Sequence, residues 1–183
     1  MEQLTVQQIE KLKLVNDDVP KYSLKGKKLT GKVVHVYDGD TVHIVFYMMN
    51  SFVNFICRLD GIDTPEICPK NNNSVENKLL EKNAGIKSRN YLMSKVVNNL
   101  SDNLLETISK KDIKNICEKS TKLITVNCGE FDKYGRLLVK LFDNDLCINQ
   151  DMINNKYAVA YDGGTKQEFC DIVIDNISSS SIV

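Results

Sequence analysis

Short runs of β-branched and aromatic residues, separated by turn signals, are the feature that most constrains the fold of this chain. Five such runs lie at 31–37, 41–47, 52–57, 122–128 and 136–142. The first two flank Asp38-Gly39-Asp40, and an Asp-Gly pair between two apolar runs is a strong hairpin signal. The sequence therefore predicts a meander of three strands, followed after a long interval by two more.

Helices are predicted in that interval and after the last strand. Ile86, Met93, Val97 and Leu100 repeat at helical spacing within 84–100. Further helices are predicted at 101–120, where Leu105, Ile108 and Ile116 would line one side of a short surface helix, at 147–157 and at 165–177. The asparagine-rich segment 67–83 is predicted to be a loop. This order predicts an α+β fold, a five-stranded OB-type Greek-key barrel with about three helices packed against it.

The length of 183 residues favours one principal domain. Residues 1–29 are predicted to be an N-terminal extension with a short amphipathic helix around Leu4, Ile9 and Leu12. The domain is predicted to span 30–178, and the serine-rich end, 179–183, is predicted to be a flexible tail.

Charge and cysteine usage narrow the class of protein. The formal net charge is zero, which excludes a global basic field of the kind that holds non-specific nucleic-acid binders on their ligand. The six cysteines form no Cys-x-x-Cys pair, and residues 1–28 lack the apolar core of a secretory signal. We therefore expect reduced cysteines and an intracellular protein of unknown compartment. No apolar stretch is long enough to cross a membrane.

Three charged fragments accompany the predicted strands: DGDT from Asp38, RLDGIDTPE from Arg58 and DKYGR from Asp132. Each alone is most simply a turn, and Arg58 alone is most simply half of a buried ion pair. A functional interpretation is also open. Asp40 would offer a carboxylate to a hard cation, and Pro65 would hold Asp63 and Glu66 on a stiff corner.

Arginine is used sparingly, in only three of the 24 basic residues. The planar guanidinium binds two phosphate oxygens at once, which lysine cannot do. Arg58 and Arg136 lie in the charged fragments. Arg89 lies in the predicted helix 84–100, where we expect it at the surface.

The three fragments, in this order and on these elements, resemble the staphylococcal nuclease family, the thermonuclease-like (SNase-like) OB-fold proteins. The resemblance runs from about Gly31 to about Glu168 and includes an Ala160-Tyr161 pair. It implies a calcium-dependent endonuclease that hydrolyses DNA and/or RNA and leaves 3′-phosphates. It also leads us to expect a nucleic-acid substrate, no membrane partner and a monomer.

The resemblance assigns a role to each matching residue. Asp40, Asp63 and the Thr64 backbone carbonyl would bind Ca²⁺. Arg58 and Arg136 would hold the scissile phosphate, and Glu66 would act as general base or order the attacking water. Lys133, Tyr134 and Tyr161 would contact the nucleotide.

Some positions depart from the family pattern, and two alternatives stay open. Asp60 is an additional acid, and YDGGTK lacks a second tyrosine expected near Tyr161. One alternative is a non-catalytic module that binds nucleic acid or protein. The other is a nuclease whose insertions at 67–83 and 101–120 restrict its substrate. The presence of every predicted catalytic and carboxylate residue favours the nuclease.

Overall fold

The structure is a computed structural model that describes residues 3–69, 74–98, 100, 108, 110–120 and 122–164. Within those ranges the elements in chain order are α1 (Val6–Lys13), β1 (Lys28–Val36), β2 (Thr41–Met48), β3 (Ser51–Leu59), β4 (Ile62–Asp63), α2 (Val75–Val96), α3 (Lys110–Lys119), β5 (Leu123–Phe131), β6 (Leu137–Asp143), β7 (Leu146–Cys147), α4 (Ile148–Asn154) and β8 (Val159–Ala160). None of these helices is both long and apolar enough to span a membrane.

Five strands close into a barrel in the order β3-β2-β1-β5-β6. Neighbouring strands in that order pair antiparallel, and a parallel pairing between β3 and β6, with Arg58 opposite Leu138, closes the cylinder. The predicted five-stranded OB-type barrel is confirmed. The predicted strand positions are also close to those observed.

Alternating burial explains why these segments form strands around one core. Val42, Ile44 and Phe46 of β2 point inward, and β5 and β6 show the same alternation. Each fully buried side chain of this size contributes about 1.5–3 kcal/mol. Gly31 lets β1 lie close to the core side chains of β2, because a Cβ there would lie 2.6 Å from Ile44 Cγ2.

The longest helix, α2, corrects the sequence prediction at both ends. It begins at Val75, with Ser74 accepting the Asn77 backbone N–H, so the predicted loop 67–83 is wrong from Val75 onward. The polar residues there form the exposed first turns of a helix rather than a loop. The helix ends at Val96 because Val97 adopts an extended backbone.

The remaining helices complete the packing. Helix α3 lies within the predicted surface helix: most of its residues are exposed, and Ile113 and Cys117 on its other side pack against β1. Helix α4 confirms the prediction at 147–157. Helices α2, α3 and α4 contact the barrel, as predicted. The predicted helix 165–177 and the predicted tail lie outside the described residues.

The N-terminal segment contains a short helix, as predicted, and it also contributes to the core. Helix α1 buries none of its residues. Leu24, in contrast, is fully buried, and the Gly26 backbone N–H donates to the Cys128 carbonyl at 2.8 Å. The residues just before β1 are therefore packed onto the barrel.

Candidate functional site

The first charged fragment forms a tightly packed turn between β1 and β2. Asp38 Oδ1 accepts the backbone N–H groups of Asp40 and Thr41, at 3.1 and 2.7 Å. Gly39 lies so close to α2 and to the second fragment that a Cβ there would be 2.7 Å from Ser88 Cβ and 2.9 Å from Thr64 Cβ. This close approach fixes Asp40 at one end of the barrel.

Arg58 joins the first fragment to the second. It lies opposite Thr41 in the β2–β3 register, which brings its side chain to the Asp38–Asp40 turn. Its Nη1 contacts Asp40 Oδ2, and its Nη2 donates to Asp63 Oδ1 at 2.7 Å. All three side chains are buried, with residues 8%, 6% and 1% exposed for Arg58, Asp40 and Asp63. We call this group the carboxylate–guanidinium cluster.

Burial and neighbouring charges shift the pKa values in and beside the cluster in opposite directions. Burial lowers the pKa of Arg58, whereas the charge and hydrogen bond of Asp63 raise it. Burial raises the pKa of Asp38, which the Thr41 N–H and the charges of Arg58 and Arg136 counteract. Removing water from charges in this way is costly unless the geometry supplies several charged partners.

Thr64 adds hydrogen bonds to the cluster from the corner after β4. It is 2% exposed, and its hydroxyl donates to Asp40 Oδ2 at 3.0 Å. The Thr41 hydroxyl donates to the other oxygen, Asp40 Oδ1, also at 3.0 Å. Asp40 is therefore held through both carboxylate oxygens. Strand β4 itself is anchored by its pairing with β8, in which Asp63 lies opposite Val159.

Helix α2 supports the corner that carries Glu66. A Cβ on Gly85 would lie 2.7 Å from the Pro65 carbonyl oxygen, so helix and corner are in close contact. The Glu66 backbone N–H donates to Glu81 Oε1 at 3.4 Å. Glu66 is exposed, whereas Pro65 is buried. A stiff backbone thus presents the Glu66 side chain at the protein surface.

The third fragment forms a loop that orients Arg136. Gly135 supplies the positive φ of +80° that the turn requires. Asp132 Oδ2 accepts from Arg136 Nε at 2.8 Å, and its Oδ1 accepts the Tyr134 and Arg136 backbone N–H groups. Burial alone would raise the pKa of Asp132, but these hydrogen bonds from Arg136 and Tyr134 bring it below the ordinary value.

Arg136 lies within electrostatic range of the cluster. Its charge lowers the pKa of Arg58 and also acts on Asp38. The fold therefore brings residues from all three fragments to one end of the barrel, although they are far apart in sequence.

Two of the predicted nucleotide contacts lie beside Arg136. Tyr134 is 72% exposed, with Arg136 Cζ at 5.5 Å and Lys133 Nζ at 5.1 Å from its ring centroid. This is an exposed aromatic face flanked by two cations. Tyr161 lies elsewhere, by β8, where its backbone N–H donates to Gly61 and its hydroxyl to Gly164.

Asn149 was missed by the sequence analysis. This residue of α4 is 3% exposed, and its Nδ2 donates to the carbonyls of Asp60 and Val139 at 2.9 and 3.1 Å. Its Oδ1 accepts the Leu141 N–H. Asn149 thereby ties the Asp60 backbone to β6, which supports the second fragment. A polar residue on the apolar face of a predicted helix was the available signal.

Arg89 contradicts the expectation that it lies at the surface. It is 4% exposed, because α2 packs against β1 and the Glu66 corner, and Ile108 lies beside it. Its Nε and Nη2 donate to Asn90 Oδ1, and Nη2 also donates to the Ile108 carbonyl at 3.3 Å. Burial lowers its pKa. No local pattern around Arg89 indicated this burial, because Ile108 lies 19 residues further along the chain.

The two histidines form a ring contact on β1 and β2. Their ring centroids are 5.3 Å apart in an edge-to-face arrangement. Burial lowers the pKa of His35, with smaller contributions from the positive charges of His43, Arg89 and Lys114. This geometry agrees with a structural role.

The carboxylates of the cluster are also the candidate metal ligands. Across the described ranges, no three side chains among His, Cys, Asp and Glu converge as a ready metal-ligand group. The predicted calcium ligands comprise only two such side chains, Asp40 and Asp63, together with a backbone carbonyl. Both carboxylates contact Arg58.

Comparison with known proteins adds no assignment. No protein-family model matches the sequence, and no curated protein matches it. The functional argument therefore rests on the geometry of the carboxylate–guanidinium cluster and on the fragments that build it.

Proposed function

We propose that this protein is a calcium-dependent endonuclease related to staphylococcal nuclease, which hydrolyses phosphodiester bonds in DNA and/or RNA and leaves 3′-phosphates. The carboxylate–guanidinium cluster at the end of the barrel, with Arg136 close by, carries the proposal. The nature of the products and the family are inferred from the resemblance of the three fragments.

The cost of the cluster argues for a functional role. A buried ion pair is rarely the cheapest way to stabilise a core, because apolar side chains of similar volume often serve as well or better. Here Asp40, Arg58 and Asp63 are all buried and connected. Burial shifts the pKa of Arg58 and of the neighbouring Asp38, and such shifts are typical of a functional site.

The two arginines suit the chemistry of phosphodiester hydrolysis. Negative charge increases on the phosphoryl oxygens in the transition state, and fixed cations aimed at them stabilise it. Burial is the main cause of the lowered pKa of Arg58, and the positive charge of Arg136 lowers it further, because the two guanidiniums repel one another. A phosphate between them would relieve that repulsion. The guanidinium fork also binds phosphate with a geometry that lysine lacks.

The oxygen ligands suit calcium, which prefers carboxylates, carbonyls and water. Asp40 and Asp63, with the Thr64 carbonyl, would hold the ion. The local charge also favours a cation, because Asp38, Asp40 and Asp63 all act on the single buried Arg58. When bound, the ion would supply a Lewis acid for the phosphoryl oxygens and would favour ionisation of water.

The remaining roles follow from position. Glu66 presents an exposed carboxylate on a stiff corner, where it can order a water molecule or accept its proton. Tyr134, with the two cations beside its ring, offers a stacking surface for a base. Lys133 and Tyr161 would add contacts to the nucleotide.

The direct test is digestion of single-stranded DNA, double-stranded DNA and RNA, each with calcium or with a chelator. We expect calcium-dependent internal cleavage of at least one substrate, with 3′-phosphate ends. Arg136→Lys keeps the positive charge but cannot bind two phosphate oxygens at once. If the guanidinium geometry matters, this variant should reduce the rate strongly. Absence of cleavage of all three substrates in calcium would refute the proposal.

One observation favours the alternative of a non-catalytic binding module. Asp40 and Asp63 both contact Arg58, an arrangement that could also serve only to stabilise the end of the barrel. This alternative predicts binding of a nucleic acid or protein without cleavage. The digestion assay, combined with a gel-shift measurement, separates the two.

A further inference from the structure

A small pocket adjoins the candidate site on the side of the Glu66 corner. Its volume is about 130 Å³, and Val36, Ile67 and Ile113 contribute apolar walls. An apolar cavity of similar volume, about 150 Å³, is enough to hold benzene. The pocket therefore has room for one flat ring rather than for an extended chain.

Arg89 is the unusual feature of this pocket. It lines the cavity, is 4% exposed, and makes hydrogen bonds only to the neutral oxygens of Asn90 and Ile108 within the described residues. No carboxylate in that part of the chain lies within ion-pair distance of it. A buried charge is costly unless a partner compensates it. A ligand with a strong hydrogen-bond acceptor would supply that compensation.

The other polar side chains that line the pocket indicate which class of ligand would carry this acceptor. Asp38 and Glu66 line the same pocket, and two carboxylates would repel a phosphate group there. A ligand that combines acceptors with N–H donors on a flat apolar ring complements the charges of all three polar side chains. Nucleobases have this combination, and proteins recognise unstacked bases by edge hydrogen bonds and aromatic contacts.

We propose that the pocket is a nucleobase subsite, which takes one base next to the scissile phosphate of the substrate. Arg89 donates to a carbonyl oxygen of that base, and Asp38 or Glu66 accepts from its N–H groups. Tyr37, which is 63% exposed at the rim, offers a ring for contact. This inference rests on the proposed nuclease function, because Asp38 and Glu66 belong to both the site and the pocket.

The proposal has a specific consequence for substrate choice. Guanine, cytosine, thymine and uracil carry a carbonyl oxygen, whereas adenine carries none. We expect a preference against adenine on one side of the scissile bond and no comparable preference on the other. One well-placed guanidinium contact should give roughly a tenfold difference in kcat/KM.

The test uses short single-stranded oligonucleotides with one cleavable linkage and each base, or an abasic sugar, on either side of it. Wild-type protein should discriminate on one side. Arg89→Met should remove that discrimination and should cut the full substrate about as slowly as wild-type protein cuts the abasic one. If Arg89→Met slows the abasic substrate by the same factor as the full substrate, Arg89 is only structural and the proposal is wrong.

A second pair of variants keeps the test valid if Arg89→Met fails to fold. Tyr37 is exposed, so Tyr37→Ala should leave the unfolding free energy nearly unchanged. It should weaken the preference for a base over an abasic sugar, whereas Tyr37→Phe should retain it. If Tyr37→Ala keeps the full wild-type preference for a base over an abasic sugar, the base does not bind in this pocket and the proposal is wrong.

A binding measurement, which does not depend on cleavage, distinguishes failure of the nucleobase-subsite proposal from failure of the proposed nuclease function. The Arg89 Nε–H resonance is followed by NMR during titration with guanosine, cytidine, uridine, adenosine and inorganic phosphate. A shift with the first three, larger than with adenosine, supports the subsite even if no substrate is cut. A shift with inorganic phosphate alone overturns it in favour of an anion site.

Discussion

Arg58 and Arg89 are buried to a similar degree but in opposite electrical surroundings. Arg58 lies between the carboxylates of Asp40 and Asp63, whereas Arg89 donates to the neutral oxygens of Asn90 and Ile108. Burial lowers the pKa of both, and within the described part of the chain only Arg58 has carboxylates that oppose the effect. Burial alone therefore does not define the role of an arginine: carboxylates of the fold compensate the charge of Arg58, whereas we propose that a ligand compensates that of Arg89.

The largest effect is expected when Arg58 is removed. Arg58→Met leaves two carboxylates buried without their shared cation, and such a loss costs about 3–5 kcal/mol of unfolding free energy. Denaturant unfolding at neutral pH measures it. The variant should also lack nuclease activity.

The matched control is Arg58→Lys, which keeps one positive charge and should recover part of the stability but little of the activity. If Arg58→Met unfolds with nearly the wild-type free energy, the carboxylate–guanidinium cluster does not contribute to the fold as its geometry indicates.

Glu66→Gln should show the reverse pattern, with a large effect on rate and a small one on stability. Removing a general base lowers the rate by about 10²- to 10⁴-fold. Glu66 is exposed, so the unfolding free energy should change little. Calcium-dependent digestion and denaturant unfolding of the same preparation measure both quantities.

Glu130→Gln is the control for that experiment. Glu130 is also exposed, pairs with Lys25 and belongs to none of the three fragments. It should leave the rate unchanged. A Glu66→Gln variant as active as Glu130→Gln would remove Glu66 from the catalytic role.

The contrast between the two arginines also explains what the sequence could and could not predict. The barrel was predictable because its strands alternate apolar and polar residues, and Arg58 was assigned to the end of the third strand because its fragment follows a recognisable strand. The burial of Arg89 depends on α3 and on Ile108, which lie in a segment with weak periodicity. Ile113 and Cys117 of α3 pack on β1, a long-range contact that no local pattern reveals.

The start of α2 illustrates a second limit. Residues 75–83 are polar and rich in asparagine and lysine, which suggested a loop. The helix forms there because Ser74 caps it and because Glu81 and Gly85 pack on the Glu66 corner. Tertiary contacts therefore stabilise a helix where the local composition favours a loop. The same contacts place Arg89, one turn further on, beside the pocket.

A smaller loss of stability is expected for Arg89→Met than for Arg58→Met. Its partners are neutral, and leaving two acceptors without a donor costs about 1–3 kcal/mol. At the same time the variant removes a buried charge that lacks a carboxylate. Denaturant unfolding of both variants under one set of conditions gives the comparison. Equal losses would mean that the two arginines have the same structural role.

The smallest expected effect is on the pH dependence of stability and involves Asp132, the partner of Arg136. Asp132 has a lowered pKa because it accepts hydrogen bonds from Arg136 and Tyr134. A carboxylate whose folded pKa is depressed stabilises the protein above its ordinary value of about 3.9, and that contribution is lost as pH falls through the folded value. Asp132→Asn should therefore flatten the loss of stability between about pH 5 and the folded pKa.

Asp38 should change the pH dependence of the unfolding free energy in the opposite direction. Burial raises its pKa, so the folded state holds this proton more tightly than the unfolded state, and protonation of Asp38 favours folding as pH falls. Asp38→Asn should then steepen the loss of stability on the acid side, where Asp132→Asn flattens it. Urea unfolding across pH 3–7 tests both. Identical slopes in the two variants would contradict the charge arrangement around Arg58 and Arg136, since each carboxylate is shifted by a different balance of burial and guanidinium charge.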